Sequence, residues 1–160
     1  MNTYFALLAL ALFPSLACSA DIQIPREVPY YDINVIQANV VEECKTLGTD
    51  LAEHIAQGLS NNGLTAAKLD KLDIASGLTI DTKISNLSST GNAWLGHHKS
   101  LTVLVKTFKD GQAQASKTFT RTTRGGVGAG FKGSCEVMDR AAKAIGEDIG
   151  RWYKAQGDAS

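Results

Sequence analysis

The sequence predicts an α+β fold, a two-layer sandwich in which two helices cover one face of a mostly antiparallel four-stranded sheet. Two observations lead to it. Apolar residues recur at intervals of three and four in two segments and alternate with polar residues in several others. Each predicted helix carries only one apolar stripe, so both helices can be buried against the same sheet face. The expected order is strand, helix, strand, strand, strand, helix.

The first strand and helix are expected in the N-terminal half. Residues 28–36 alternate Ile33 and Val35 with polar neighbours, which is typical of a strand. A helical stripe of apolar residues then runs from Cys44 to Leu59, and Gly63 ends the helix by adopting a left-handed conformation. Residues 65–77 have no clear period and are expected to form a connection.

Three strands and a second helix follow. Alternating apolar residues predict strands at 78–85 and 100–108, and the Asp110-Gly111 pair predicts a tight hairpin into a strand at about 112–123. Ser134 is a good helix cap, and Glu136 in the first turn suits the helix dipole. The last helix therefore begins at Ser134.

The first twenty residues are expected to be a signal peptide. They contain no Asp, Glu, Lys or Arg, and the apolar run FALLALALF (5–13) is too short to span a bilayer. Cleavage before Asp21 would leave a single α+β domain at 21–160, located in the periplasm or secreted. SLAC (15–18) resembles a lipobox with Ser15 where Leu is usual, so lipidation of Cys18, and hence a membrane-anchored lipoprotein, is the alternative.

The formal net charge of zero conceals an uneven distribution. Residues 21–76 hold nine acids and four bases, whereas residues 77–160 hold seven acids and twelve bases. An anionic partner would therefore meet the C-terminal half, although a solvated sheet face is the simpler explanation of the basic residues.

The glycine-rich segment GAGFKG (128–133) matches a dinucleotide-binding pattern, but an antiparallel hairpin precedes it and no strand is expected after the following helix. We therefore expect a chain reversal and no cofactor. The adjacent histidines His97 and His98 offer two ligands where zinc or copper normally needs three or four, so no metal is expected. The sequence contains no recognised catalytic motif, and we expect that the protein is not an enzyme.

These patterns favour a binding or assembly module that contacts another envelope protein or an anionic envelope component through the open sheet face and adjoining loops. An alternative is a periplasmic inhibitor or immunity protein that blocks a lytic enzyme or toxin. No nucleic acid partner is expected, and the oligomeric state stays open. The candidate contact residues are Trp94, Leu95, His97, His98, Lys106, Arg121, Arg124, Phe131 and Lys132.

Cys44 and Cys135 are the two cysteines that remain after cleavage before Asp21. Both lie at the N-terminal end of a predicted helix and on its apolar stripe, and an exported protein meets an oxidising environment. Two helices side by side on the sheet would bring both sulfurs to one end of their seam. The sequence therefore predicts a disulfide between Cys44 and Cys135.

The leader, the element order, the basic segment TRTTRGGVGAGFKG (120–133) and the final helix AAKAIGEDIGRWY (141–153) together resemble small uncharacterised exported proteins and lipoproteins of the Gram-negative cell envelope. Some of these are built on domains similar to those of curli-type secretion lipoproteins. The resemblance implies an envelope location and a binding or assembly role, and it carries over no catalytic residue.

Overall fold

A computed structural model describes residues 21–36, 38–92, 96–124 and 134–157. The strands are β1 (Ile22–Pro25), β2 (Ala66–Leu69), β3 (Leu78–Asn92), β4 (Gly96–Lys109) and β5 (Gln112–Arg124). The helices are α1 (Ala38–Glu43), α2 (Leu47–Ser60) and α3 (Ser134–Gly157), and a short 3-10 helix (Ile33–Val35) precedes α1.

The strands form one mixed sheet in the order β2-β1-β3-β4-β5. β1 runs parallel to both β2 and β3, whereas β3, β4 and β5 are antiparallel neighbours. The predicted α+β class is confirmed. The predicted details are wrong: the described residues form five strands in a mixed sheet and three α-helices, not four mostly antiparallel strands and two helices.

The first strand precedes residues 28–36, where the sequence predicted it. β1 uses the alternation of Ile22 and Ile24, both buried, and ends at Pro25. In the expected segment, Tyr30 forms only an isolated bridge to Ile84. The Asp32 side chain then accepts a hydrogen bond from the Asn34 backbone N–H and starts the 3-10 helix. Ile33 consequently stands 56% exposed rather than in the core.

β2 occupies part of the segment that was expected to be a connection. Its four residues pair in parallel with β1, from Ile22 opposite Ala66 to Pro25 opposite Leu69. All four are half-buried, so no alternation marks the strand in the sequence. The Gln23 side chain holds the following loop, because it donates to the Ser76 carbonyl and accepts from the Asp73 N–H.

The β4–β5 hairpin forms at the predicted turn. Asp110 and Gly111 both adopt positive φ, at 48° and 84°, as expected for a tight hairpin with an Asp-Gly pair. On β4, Leu101, Val103 and Val105 are completely buried on the side that faces the helices. The antiparallel half of the sheet therefore follows its sequence pattern closely.

Helices α2 and α3 pack together at very short range through glycines. A Cβ atom built on Gly146 would lie 2.3 Å from the His54 carbonyl oxygen, and one on Gly150 would lie 2.1 Å from the Gly58 oxygen. A hydrogen bond between His54 Nε2 and Asp139 Oδ1, 2.7 Å apart, joins the same two helices. Only glycine at these positions allows the backbones to approach so closely.

The predicted disulfide is confirmed. Cys44, which directly follows α1, is bonded to Cys135 in the first turn of α3, with their Cα atoms 5.3 Å apart. At the other end of the helix layer, Trp152 of α3 packs edge-on against the Phe119 ring of β5, with the ring centroids 5.7 Å apart. The disulfide and the aromatic pair thus fix α3 at two points.

Among the described residues, no helix has the length and apolar character needed to cross a membrane.

Candidate functional site: the open face of β4 and β5

Among the described residues, no helix lies over one face of β4 and β5. Side chains alternate along both strands, so that every second residue points away from α2 and α3. We define the open face by the outward residues Ser100, Thr102, Leu104 and Lys106 of β4 and Ser116, Thr118, Thr120 and Thr122 of β5. All the β5 members are exposed, and on β4 only Lys106 is exposed while the others are half-buried.

The open face is rich in hydroxyl groups that lie in register across the two strands. Thr102 is directly opposite Thr120, and their Oγ1 atoms are 3.1 Å apart. Thr122 Oγ1 lies 3.5 Å from Ser100 Oγ in the next row. Threonine suits exposed strand positions because its branched Cβ packs well on a pleated surface. The rows form a flat surface that can both donate and accept hydrogen bonds.

The open face carries less positive charge than the sequence suggested. Lys106 is exposed there, but its partners in register are Asp81 on β3 and Ser116 on β5. Arg121 has the same parity as the buried Phe119, and its guanidinium pairs with the Asp148 carboxylate of α3. Arg121 therefore lies on the face of the sheet that the helices cover, and Lys106 lies on the opposite face. Of these two basic candidates, only Lys106 lies on the open face.

The remaining candidates lie at the far end of the hairpin or outside the described residues. His98 is exposed and pairs with Thr90 on β3 and Arg124 on β5, and the His97 backbone pairs with Gly91. Within the described ranges, no three His, Cys, Asp or Glu side chains are placed to hold a metal ion. Four candidate contact residues and the lipidation candidate lie outside the described residues: Trp94, Leu95, Phe131, Lys132 and Cys18.

β5 is also an edge strand. It is the last strand in the sheet order, so along its 13 residues the outward backbone groups have no neighbouring strand within the described chain. A strand edge of this kind can accept the extended backbone of another polypeptide. The open face and the outer edge of β5 are thus continuous parts of one surface.

A buried lysine on β4 was missed by the sequence reasoning. Lys99 is only 6% exposed, on the same side of β4 as Leu101 and Val103. Burial lowers the pKa of its ammonium group, and the nearby Glu43 carboxylate partly offsets this effect. The alternation on β4 already contains the signal, because residue 99 has the parity of the buried positions. Lys99 is therefore an inward cation close to the Cys44 end of the helix layer.

No protein-family model matches the sequence, and neither does any curated protein. Solved structures do match. A protein from Xanthomonas campestris assigned to the family DUF330 superposes with a TM-score of 0.60 at 12% identity, covering 94% of this chain and 95% of that one. A minor lipoprotein from Acinetobacter baumannii gives a TM-score of 0.54 at 12% identity, covering 86% of this chain and 94% of that one.

A third match is PelC from Paraburkholderia phytofirmans, whose crystal structure is a dodecamer. Its TM-score is 0.53 at 12% identity, over 87% of this chain and 92% of that one. At such identities the likeness concerns the fold. It confirms, at that level, the similarity to small envelope lipoproteins of Gram-negative bacteria that the sequence indicates.

Proposed function

We propose that this chain is an exported protein of the Gram-negative cell envelope that binds another envelope protein through the open face and the outer edge of β5, without catalysing a reaction. The observation that carries the proposal is the hydroxyl-rich open face, which continues into a strand edge that has no strand neighbour among the described residues. Hydroxyl rows and free backbone groups suit the recognition of an extended polypeptide.

Three further features support an envelope location. The leader at residues 1–20 has the apolar run and the small residues before Asp21 that an export signal has. The Cys44–Cys135 disulfide is typical of proteins that mature in an oxidising compartment. The fold is shared with a lipoprotein from Acinetobacter baumannii. Lipidation at Cys18 remains the alternative to release into the periplasm.

Site-specific photo-crosslinking in living cells tests the binding surface. A photoreactive amino acid at Thr120, on the open face, is expected to capture a discrete partner. The same amino acid at Lys143, which is exposed on α3 in the other layer, is the matched control. Capture from Lys143 but not from Thr120 would contradict the use of the open face.

Charge reversal distinguishes an anionic partner from a neutral one. Lys106→Glu is expected to weaken binding of an anionic partner in a salt-sensitive manner, because exposed charges are screened over roughly 10 Å at ordinary ionic strength. A neutral protein partner would be bound by the Lys106→Glu and Lys143→Glu variants about equally. Either result identifies the chemistry that the open face recognises.

Self-assembly is a second candidate function, and one observation favours it: PelC, which shares the fold, forms a dodecamer. In a closed ring each subunit presents two different surfaces to its neighbours. The mass of the purified protein in solution, measured by light scattering, tests this directly. A monomer at all concentrations would exclude the assembly and leave the binding role intact.

A further inference from the structure

A cleft of about 580 Å³ lies where the two parallel strands β1 and β2 end, on the other side of β3 and β4 from the β5 edge. The chain segment after β1 and the loop after β2 form its walls, and Asp81 and Lys83 of β3 line it as well. Its apolar lining comes from Pro25, Pro29, Leu72 and Ile74. The carboxyl ends of parallel strands are a common place for ligand sites in mixed sheets.

Exposed apolar side chains lie at this cleft and next to it. Among the described residues, the large apolar side chains that stand exposed are Tyr31 at 64%, Ile33 at 56% and Ile74 at 37%. Ile74 lines the cleft, and the Tyr31 ring lies 6.0 Å from Nζ of Lys83, which also lines it. Two of these three side chains, Ile74 and Tyr31, therefore lie at the cleft or beside it, and exposed apolar groups that lie together mark an interaction surface.

One carboxylate at the cleft has no cationic partner among the described residues. Arg26 Nε is 2.7 Å from Asp70 Oδ1, and Lys83 Nζ is 3.9 Å from Asp81 Oδ2, so both cations already have an acidic partner. Glu27 also lines the cleft and has no ion-pair partner among the described residues. Burial, and after it the charge of Glu27, raises the pKa of the neighbouring Tyr30. The cleft therefore offers an apolar surface beside a free negative charge.

The strand beside the cleft favours a polypeptide as the occupant. β2 is the outer strand of the sheet on this side, so its outward backbone groups have no strand neighbour within the described chain. β2 ends at Leu69, directly before the cleft residue Asp70. An extended segment could therefore pair with β2 while its side chains enter the cleft.

From this geometry we infer that the cleft binds an extended segment of a partner protein that presents an aromatic or aliphatic side chain next to a lysine or arginine. The apolar side chain packs against Leu72 and Ile74, and the cation pairs with the Glu27 carboxylate. The cleft adjoins the open face, because Asp81 and Lys83 lie opposite Lys106 and Leu104 in register. It adds an apolar and acidic site to the hydroxyl-rich surface.

Selection from a random heptapeptide library displayed on phage tests the inference without assuming a partner. The full chain is the target, and the Ile74→Asp variant is used for counter-selection. We expect the recovered peptides to be enriched in an aromatic or aliphatic residue next to Lys or Arg. Synthetic copies should bind at least about tenfold more weakly to Ile74→Asp and about threefold more weakly to Glu27→Gln.

Glu42→Gln is the matched control, because Glu42 is an exposed glutamate on α1 away from the cleft lining, and it should leave peptide binding unchanged. Ile74→Ser provides a second, milder variant, and an unchanged melting temperature shows that each variant is folded. The absence of enrichment, a preference for acidic peptides, or equal binding by the two Ile74 variants and the wild type would overturn the inference. So would self-association that is lost in Ile74→Asp without any peptide binding.

Discussion

Single glycines determine how closely α2 and α3 pack. Gly146→Ala and Gly150→Ala place a methyl group 2.3 Å and 2.1 Å from backbone oxygens of α2, so the helices must move apart. We expect each change to destabilise the protein by about 1–3 kcal/mol or more, the usual cost of overpacking. Urea unfolding measures this loss.

Gly157→Ala is the control, since nothing lies within 4 Å of a Cβ at that last residue of α3. Alanine is also the better helix former, so this variant should match or slightly exceed the wild-type stability. If all three alanine variants were equally stable, the close approach of the two helices would be wrong.

A half-buried tyrosine makes the free energy of unfolding vary with pH in the alkaline range. Burial raises the pKa of Tyr153 above its usual value of 10.0. In the unfolded chain the hydroxyl ionises first, so the stability that Tyr153 contributes is complete below about pH 10 and is lost as pH rises through the folded-state pKa. Urea unfolding between pH 8 and 11 should therefore show a shallower alkaline loss for Tyr153→Phe than for the wild type. Parallel curves would contradict this assignment.

Successive residues of a strand lie on opposite faces of the sheet, and this alternation explains which parts of the candidate site the sequence revealed and which it did not. The alternation that places Lys106 outward also places Lys99 and Arg121 toward the helices, as the structure shows. Counting basic residues without regard to parity therefore overestimates the charge of the open face. The ion pair between Arg121 and Asp148 could not be predicted, because it depends on how α3 is positioned over β5.

At the scale of elements, the disulfide joins the segment between α1 and α2 to the first turn of α3, which is far away in the chain. Cys44 and Cys135 are separated by 91 positions. Replacing both with alanine should lower the free energy of unfolding by at most about 4.6 kcal/mol, the entropy estimate for a loop of that length. Thermal unfolding of the double variant measures the effect. A wild-type melting temperature would show that the helix layer does not depend on the bond.

Long elements were predictable from the sequence, and short ones were not. The helices α2 and α3 and the strand β5 were predicted over most of their lengths, because a local pattern marks them. The strands β3 and β4 extend beyond the predicted 78–85 and 100–108, to Asn92 and from Gly96, where they pair with each other without an apolar alternation in the sequence. β1 and β2 have four residues each and exist because they pair with one another in parallel. Such pairing depends on residues more than 40 positions apart, which a local pattern does not reveal.

Across the whole molecule, the open face and the cleft form adjoining parts of one surface of the sheet. The cleft residues Asp81 and Lys83 lie opposite Lys106 and Leu104 of the open face in register. We propose that one partner extends from the cleft onto the open face, which accords with a binding or assembly role. Photo-crosslinks from Thr120 and from Ile74 are therefore expected to capture the same partner, and different partners at the two positions would contradict a shared surface.

The mass of the intact protein recovered from cells tests the central claim of an exported envelope protein most directly. We expect a chain that begins at Asp21, or one that begins at Cys18 with added lipid mass, and in both cases two hydrogens fewer than the reduced form because of the Cys44–Cys135 bond. A protein recovered from the cytoplasm that still begins at Met1 and has two free thiols would contradict export and, with it, the proposed function.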